Sequence, residues 1–205
     1  MSDTKELFED LASVLSYPEE PIENNVVRVQ QNLGNEDAQS IQPFADYLKS
    51  TNLLYVEEFF TRTFDLNPSC CLEVGWHLYG EDYKRGEFLV NMRQTLAEEH
   101  LPESTELPDH LSHCLRLLPR LEKEDAEAFS RKYLLPAIAK ILKTMEAENP
   151  YTCVIEMLQR VLEHRYGPGE MDIGSNANLV ELPLLNNVLH YNNTEDLVKE
   201  RKSTR

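Results

Sequence analysis

Apolar residues recur every three or four positions along almost every segment of this chain, and that spacing constrains the fold more than any other feature. In the first segment, Leu7, Phe8, Leu11, Val14 and Leu15 would share one face of a helix. Glycine is scarce, with 7 residues in 205, and only 8% of the residues are aromatic, which favours helices over strands. The sequence therefore predicts an all-α fold built around one core.

The organisation changes once, near residue 167. Residues 1–166 carry the helical spacing, whereas Gly167-Pro168-Gly169 opens a stretch rich in asparagine without a sustained period. We expect a helical domain over 1–166 and a loosely ordered C-terminal tail over 167–205. The apolar pieces of the tail, residues 179–185 and 188–189, could dock on the bundle or become ordered with a partner.

Charge narrows the range of partners. The chain holds 36 acidic and 20 basic residues, a formal charge of -16, and residues 1–166 hold 30 acids and 16 bases, a difference of -14. Such a surface repels phosphate backbones and anionic lipid headgroups and attracts cationic peptides. We expect no nucleic-acid partner. No apolar run reaches the roughly 18 residues that span a bilayer, so we also expect no stable membrane insertion.

Location and redox state follow from the N-terminus and the cysteines. The first ten residues, MSDTKELFED, lack the basic and apolar regions of a secretory signal. The four cysteines, at positions 70, 71, 114 and 153, do not have the spacing of a disulfide scaffold. These features predict a cytoplasmic protein with reduced thiols.

Motifs of common enzyme classes are missing. The chain has no GxGxxG or GxxxxGK loop for phosphate and no GxSxG elbow for a serine nucleophile. Adjacent acids such as Glu57-Glu58 are typical of a solvated helix face, because general acid-base catalysis needs a partly buried carboxyl with a shifted pKa. We expect that the chain is not an enzyme.

A metal site is the alternative reading. His110, His113 and Cys114 stand three and four residues apart on one predicted helix, and zinc takes about four such ligands at 2.0–2.3 Å. The competing interpretation is a buried thiol and a hydrogen-bonded histidine, because free cysteine on an apolar stripe behaves as a small hydrophobe. That interpretation is favoured, and no metal or cofactor is expected.

Two short segments look unlike ordinary bundle sequence. One runs from Trp76 to Glu81, with Arg85-Gly86 shortly after it, inside a region where residues 70–79 read as one buried central helix. The other spans residues 106–111, where a proline leads into a predicted helix with Asp109 as its N-cap and His110 beside it.

These segments resemble the NarJ/TorD/DmsD group of redox-enzyme maturation chaperones over residues 7–162. The resemblance is carried by the Leu15-Ser16-Tyr17-Pro18 helix end, Tyr55-Val56, Phe64-Asp65, the pattern His77-x-x-Gly80-Glu81 with Arg85-Gly86, and above all Glu106-Leu107-Pro108-Asp109-His110-Leu111. Within the group, the chaperones of nitrate reductase and of related enzymes of the DMSO-reductase family are nearest. The resemblance implies a single all-α domain of roughly seven or eight helices, like a bundle.

The resemblance also implies a role and a site. Such chaperones bind the N-terminus of a molybdopterin-containing catalytic subunit, in some cases one with a twin-arginine signal, support cofactor insertion and complex assembly, and then release it. They act as monomers or dimers. The client-binding residues that the resemblance implies here are Trp76, His77, Tyr79, Asp109, His110, Tyr55 and Arg85.

Physical reasoning points the same way. An acidic surface should speed the capture of a basic peptide, and an apolar groove lined by Trp76 and Tyr79 would supply buried area. His110 has a side chain that can titrate near neutral pH, so we hypothesise that its protonation modulates client release. A third reading is an interaction adaptor that works through the tail.

Overall fold

The computed structural model describes residues 2–19, 22–102 and 104–170. Within these ranges the chain is helical, and the only bridge between extended residues is an isolated one joining Glu73 to His110. The all-α prediction is confirmed. Across the same ranges, no helix combines the length and apolarity needed to cross a bilayer. The predicted tail lies outside the described residues from position 171 onward.

The described ranges contain eleven α-helical segments. They are α1 (Ser2–Val14), α2 (Ile22–Asn32), α3 (Asn35–Ser40), α4 (Gln42–Ser50), α5 (Leu53–Phe60), α6 (Val74–Tyr79), α7 (Tyr83–Glu98), α8 (Leu111–Leu117), α9 (Lys123–Phe129), α10 (Leu135–Thr144) and α11 (Thr152–Tyr166). Some abut: a π turn continues α5, another joins α9 to α10, and a 3₁₀ turn follows α8. The segments are therefore more numerous than the helices inferred from periodicity.

The core forms where the apolar faces of these helices meet. Helix α1 packs against α2 and α8, while α10 packs against α11 and α6. The stripe predicted for α1 is confirmed, because Leu7, Phe8 and Leu11 are each no more than 1% exposed. Burial of such faces is the main source of helix stability in a protein of this kind.

An aromatic cluster joins α4, α5 and α11 around Tyr151. The Tyr151 ring lies 4.6 Å from Phe44, 5.8 Å from Phe60 and 5.1 Å from Phe64, measured between ring centroids. Tilted and edge-on contacts at these distances are favourable beyond the buried area itself.

The long helical run after residue 122 is interrupted near its proline. The sequence predicts a kink at Pro136, because a proline has no N–H and clashes with the preceding turn. In the structure, residues Ser130–Leu134 form a π turn directly before α10, and Pro136 lies in the first turn of α10. The Leu135 N–H donates to the Ser130 carbonyl, five residues back, so the hydrogen-bond pattern changes directly before the proline.

Four residues beyond α11 stay attached to the body. Gly167 turns the chain with a positive φ of 86°, a conformation that favours glycine. The Arg131 Nε then donates to the Pro168 carbonyl at 3.0 Å, and the Glu170 N–H donates to the Arg131 carbonyl at 2.9 Å. The chain therefore leaves the described region alongside the π turn between α9 and α10.

Candidate functional site

The two unusual sequence segments lie side by side in the structure. The Val74 N–H donates to the Asp109 carbonyl at 3.0 Å, and the Leu111 N–H donates to the Leu72 carbonyl at 2.8 Å, in a short antiparallel pairing. Helix α6 consequently begins at Val74, and the prediction of a helix from Cys70 is wrong for its first four residues. The Cys70 N–H closes a turn onto the Asn67 carbonyl, and Leu72 and Glu73 pair with the segment around His110.

Asp109 caps α6 and not the helix that follows it in sequence. Its Oδ2 accepts a hydrogen bond from the Gly75 N–H at 2.8 Å, whereas the α6 N-cap residue, Glu73, makes no capping bond with its own side chain. The prediction that Asp109 caps the next helix is wrong, because His110 holds that position. A carboxylate at the start of a helix satisfies an N–H that would otherwise lack a partner.

Gly75 is the residue that admits this carboxylate. A Cβ added there would lie 2.7 Å from Asp109 Oδ2 and 2.9 Å from the Phe88 ring. Both contacts are shorter than packed atoms tolerate, so any larger residue would push Asp109 or Phe88 away. The glycine is required by close approach and not by its backbone conformation.

The cost of burying the Asp109 carboxyl is only partly offset by its hydrogen bonds and nearby charges. The side chain is fully buried, and its Oδ1 has no hydrogen-bond partner among the described residues. Burial raises the pKa of this carboxyl, while the Gly75 N–H and the nearby Arg85 guanidinium oppose the rise. Asp109 thus supports α6 from behind and does not reach the surface.

Trp76 and Arg85 form the solvent-facing part of the site, outside the buried Asp109. The Arg85 guanidinium lies 5.2 Å from the centre of the Trp76 ring, within the range of a cation–π contact. The Trp76 Nε1–H donates to the Pro68 carbonyl at 2.9 Å, which holds the indole at the surface. Both side chains are half-buried, so a partner molecule can reach them.

His77 and Tyr79 are held by the body of the protein. The His77 Nε2–H donates to the Cys71 carbonyl at 2.7 Å, and Lys140 donates to the His77 carbonyl. Burial lowers the pKa of His77. The Tyr79 ring lies 5.7 Å from Phe88, and burial raises its pKa. These two residues fix the inner face of α6.

His110 does not titrate near neutral pH. Its Nδ1 accepts from the Ser112 N–H at 3.3 Å and lies 2.8 Å from the Ser112 hydroxyl, which makes it the N-cap of α8. Burial, with the His113 and Arg116 charges, lowers the pKa of His110 to about 3. The hypothesis that its protonation modulates release near neutral pH is therefore wrong, because the ring stays neutral there.

The structure joins six of the seven candidates into one unit and leaves the seventh apart. Trp76, His77, Tyr79, Asp109, His110 and Arg85 all lie on or against α6. Tyr55 is 60% exposed on α5, and its N–H donates to the Asn52 side chain at the start of the same helix. Helix α6 with its supports is therefore the candidate site.

Comparison with known proteins identifies the family of this chain. Residues 30–149 match the family described as nitrate reductase delta subunit, a range that includes α6 and both segments. The chain belongs to this family. The chain is also 24% identical over 159 residues to the nitrate reductase molybdenum cofactor assembly chaperone NarJ of Escherichia coli K12 and to that of Escherichia coli O157:H7, covering 74% of this chain and 67% of each relative.

Membership of the nitrate reductase delta subunit family confirms the resemblance to the NarJ/TorD group. The relatives are assembly chaperones by name, in agreement with the expectation that this chain is not an enzyme. A chaperone needs a binding surface and no reactive group, and the thiols near the site fit that requirement. Burial raises the pKa of Cys71 to about 12 and that of Cys114 well above its ordinary value, so neither is a thiolate near neutral pH.

The metal alternative finds no support in this family member. The His113 ring nitrogens lie 2.9 Å from the Leu107 carbonyl and 2.9 Å from the Ser104 hydroxyl, and the Cys114 thiol donates to the Asp109 carbonyl. Across the described residues, no three histidines, cysteines or carboxylates converge as metal ligands. His110, His113 and Cys114 stabilise the start of α8, and the two imidazoles are hydrogen-bonded within the fold.

Three carboxylates beside α6 were not among the predicted site residues. Asp65 ends the π turn after α5, Glu73 precedes α6, and Glu106 lies in the loop before Asp109. Burial raises the pKa of Glu106, and repulsion from Asp65 and Glu73 adds to the rise. A pattern search could have found Glu106 and Asp65, which belong to the quoted motifs, but it could not have placed them together.

Proposed function

We propose that this chain is a cytoplasmic chaperone that binds the N-terminal segment of the molybdopterin-containing catalytic subunit of nitrate reductase or a close relative. Binding holds the subunit while the molybdenum cofactor is inserted and the complex is assembled, and the chaperone then dissociates. The proposal rests on family membership and on the names of the relatives, which are molybdenum cofactor assembly chaperones.

One structural observation carries the assignment of the site. Asp109, from the second segment, caps α6, which presents Trp76 from the first segment at the surface. The two most distinctive segments of the sequence thus act together to expose the Trp76 indole and the Arg85 guanidinium. Half-buried aromatic and arginine side chains are the residue types that dominate binding energy at protein interfaces.

The candidates divide by role under this proposal. Trp76 and Arg85 contact the client segment, with Tyr55 as an outlying contact. Asp109, His110, His77 and Tyr79 keep α6 in place, since they are buried or half-buried and hydrogen-bonded or packed within the fold. Loss of a residue in the second set should therefore weaken binding through the shape of α6.

The test uses the single tryptophan of the chain, Trp76. Its fluorescence reports directly on α6 while a synthetic peptide of about 20 residues, copying the N-terminus of the nitrate reductase catalytic subunit from the same organism, is added. We expect saturable quenching or a blue shift, and a loss of affinity of about tenfold for Trp76→Ala measured by calorimetry. Tyr17→Ala, at an exposed aromatic on the segment after α1, is the matched control.

A cellular experiment tests the role itself. A strain without this protein should accumulate catalytic subunit that lacks molybdenum, and the intact chain should restore the metal content. Absence of binding to both the peptide and the whole subunit, together with normal metal loading in the deletion strain, would reject the proposal. Retention of binding after truncation at Tyr166 would distinguish this chaperone from an adaptor that works through the tail.

A further inference from the structure

One stretch of this acidic protein is basic. Residues 128–145, which cover the end of α9, the π turn and α10, contain four basic residues and no acidic one, whereas residues 1–166 together carry a formal charge of -14. Two of the bases are exposed and two are half-buried, so the stretch presents positive charge to solvent. The four are Arg131, Lys132, Lys140 and Lys143.

Almost all of this positive charge lacks a negative partner. Lys132 and Lys143 form no ion pair with another residue of the described ranges. Lys140 donates to the His77 carbonyl, which has no formal charge. Arg131 pairs with Glu170 at 3.8 Å. Glu170 is therefore the one carboxylate that the described part of the chain brings to this face.

Apolar atoms lie between the charges of the face. Pro136, Ala139 and Lys143 follow one another at steps of three and four, so they share one side of α10. Pro136 is half-buried, and Ala139 and Lys143 are exposed. Lys132 precedes them in the π turn. The face therefore fits a segment that carries both acidic and apolar side chains.

The chain already enters this face where the described residues end. A Cβ added to Gly169 would lie 2.9 Å from the Leu135 Cβ, so the backbone rests directly on the first turn of α10. The Glu170 N–H donates to the Arg131 carbonyl at 2.9 Å. The next residues of the chain therefore start in contact with the basic stretch.

These next residues have the opposite charge. Residues 171–185 contain Asp172 and Glu181 and no lysine or arginine, and the first base after them is Lys199. They also contain seven large apolar residues, which are Met171, Ile173, Leu179, Val180, Leu182, Leu184 and Leu185. Both the charge and the apolar content match the face.

The segment is long enough to follow the face to its end. Lys143 lies eight residues beyond Leu135, which is about 12 Å along the axis of α10. From Gly169 to Glu181 the chain advances 12 residues, which span about 18 Å as a helix and more in an extended form. Glu181 can therefore reach Lys143.

We propose that residues 171–185 dock on the face formed by the π turn and α10, with Asp172 and Glu181 toward Lys132 and Lys143 and the apolar side chains over the surface between them. Attachment at Glu170 makes the contact intramolecular, so opposite charges meet at a high effective concentration. Because α10 packs against α6, the docked segment stabilises an element behind the candidate site without being a client contact.

The experiment reverses charge on the face in the full-length chain. The site variant combines Lys132→Glu with Lys143→Glu, and the control variant combines Lys5→Glu on α1 with Lys49→Glu on α4, both exposed. The two variants have the same net charge. A rescue variant adds Asp172→Lys and Glu181→Lys to the site variant. Circular dichroism is measured first, and Lys132→Gln with Lys143→Gln replaces the site variant if that protein does not fold.

The measurement is hydrogen–deuterium exchange of the amides in 171–185, each compared with the intrinsic rate of an unstructured chain of the same sequence. We expect exchange about fivefold slower than intrinsic in the wild type and in the control variant. In the site variant the rates should return to within about twofold of intrinsic, and the rescue variant should regain the protection. Amides of α10 should follow the same order.

Every other outcome contradicts the docking. Intrinsic rates in the wild type would mean that the segment does not dock, and protection that survives in the site variant would place it elsewhere. Equal losses in the site and control variants, or no recovery in the rescue variant, would show that these charge pairs are not the contact. Protection that rises over about a hundredfold range of protein concentration would assign the face to a second copy of the chain.

Discussion

Gly75 and Gly86, two glycines of the site region, differ in how much space surrounds them. Gly75 lies in α6 against Asp109 and Phe88, where a Cβ would meet atoms at 2.7 and 2.9 Å, while Gly86 lies inside α7 with nothing within 4 Å of the same position. Neither has the positive φ that would demand glycine. Their difference is one of space alone, which makes them a matched pair.

Gly75→Ala should destabilise the protein and Gly86→Ala should stabilise it. In the first variant, the added Cβ would push Asp109 and Phe88 away from α6. Overpacking of this kind costs about 1–3 kcal/mol. The second removes the entropic disadvantage of glycine in an exposed helix, worth about 0.5–1 kcal/mol. Chemical denaturation of both variants checks the signs. A neutral Gly75→Ala would contradict the close approach of Asp109.

Asp109 offers a second test at the same scale. Asp109→Ala leaves the Gly75 N–H without its partner, so we expect a loss of about 1–3 kcal/mol and a red shift of Trp76 emission as α6 loosens. Asp109→Asn retains an acceptor oxygen and should lose less on both measures. If the two variants behaved alike, the hydrogen bond to Gly75 would not be what holds α6.

At the scale of elements, two π turns lie next to parts of the chain that matter for the site and for the attachment of residues 167–170. The π turn Thr61–Asp65 ends α5 and places Asp65-Leu66 before the turn that holds Trp76. The π turn Ser130–Leu134 precedes Pro136 and carries Arg131, to which residues 168–170 attach. π turns of this kind often occur at functional positions.

The attachment at Arg131 can be measured by truncation. A chain ending at Glu170 keeps the bonds from Arg131 to Pro168 and from Glu170 to Arg131, together with the ion pair between Arg131 and Glu170 at 3.8 Å. A chain ending at Tyr166 loses them and should be less stable by about 1 kcal/mol. Denaturation of the two chains side by side provides the measurement, and equal stabilities would show that this contact contributes nothing.

For the whole molecule, the lowered pKa values of His110 and His77 make the free energy of unfolding depend on pH. The pKa of His110 lies at about 3 in the folded protein, against an ordinary value of 6.5, and burial also lowers the pKa of His77. A histidine that is neutral when folded but protonated when unfolded favours the unfolded state in acid. Its contribution is complete above about pH 6.5 and is lost progressively as the pH falls toward 3.

Replacing His110 should therefore flatten the pH dependence. The unfolding free energy of the wild type should fall by about 2 kcal/mol between pH 7 and pH 5 through His110 alone. His110→Asn keeps an acceptor for the Ser112 N–H and removes the titration, so its curve should be flatter in this range. Denaturation at a series of pH values checks this, and parallel curves would place the titration elsewhere. The change of client affinity with pH between pH 6 and 8 should be the same in both proteins, because the His110 ring stays neutral there.

Local patterns in the sequence were sufficient for the all-α class, but not for the residue at which α6 begins or for the acidic residues beside it. Periodicity identifies the buried face of α1 because residues three and four apart must share a side, and the motif residues Trp76 and Asp109 stand out in the sequence. The partner of Asp109 does not, because the hydrogen bond to Gly75 joins residues 34 positions apart. Only tertiary packing decides that Asp109 caps α6, that His110 stays neutral, and that Asp65 meets Glu106, since each depends on which segments lie together and how much water they exclude.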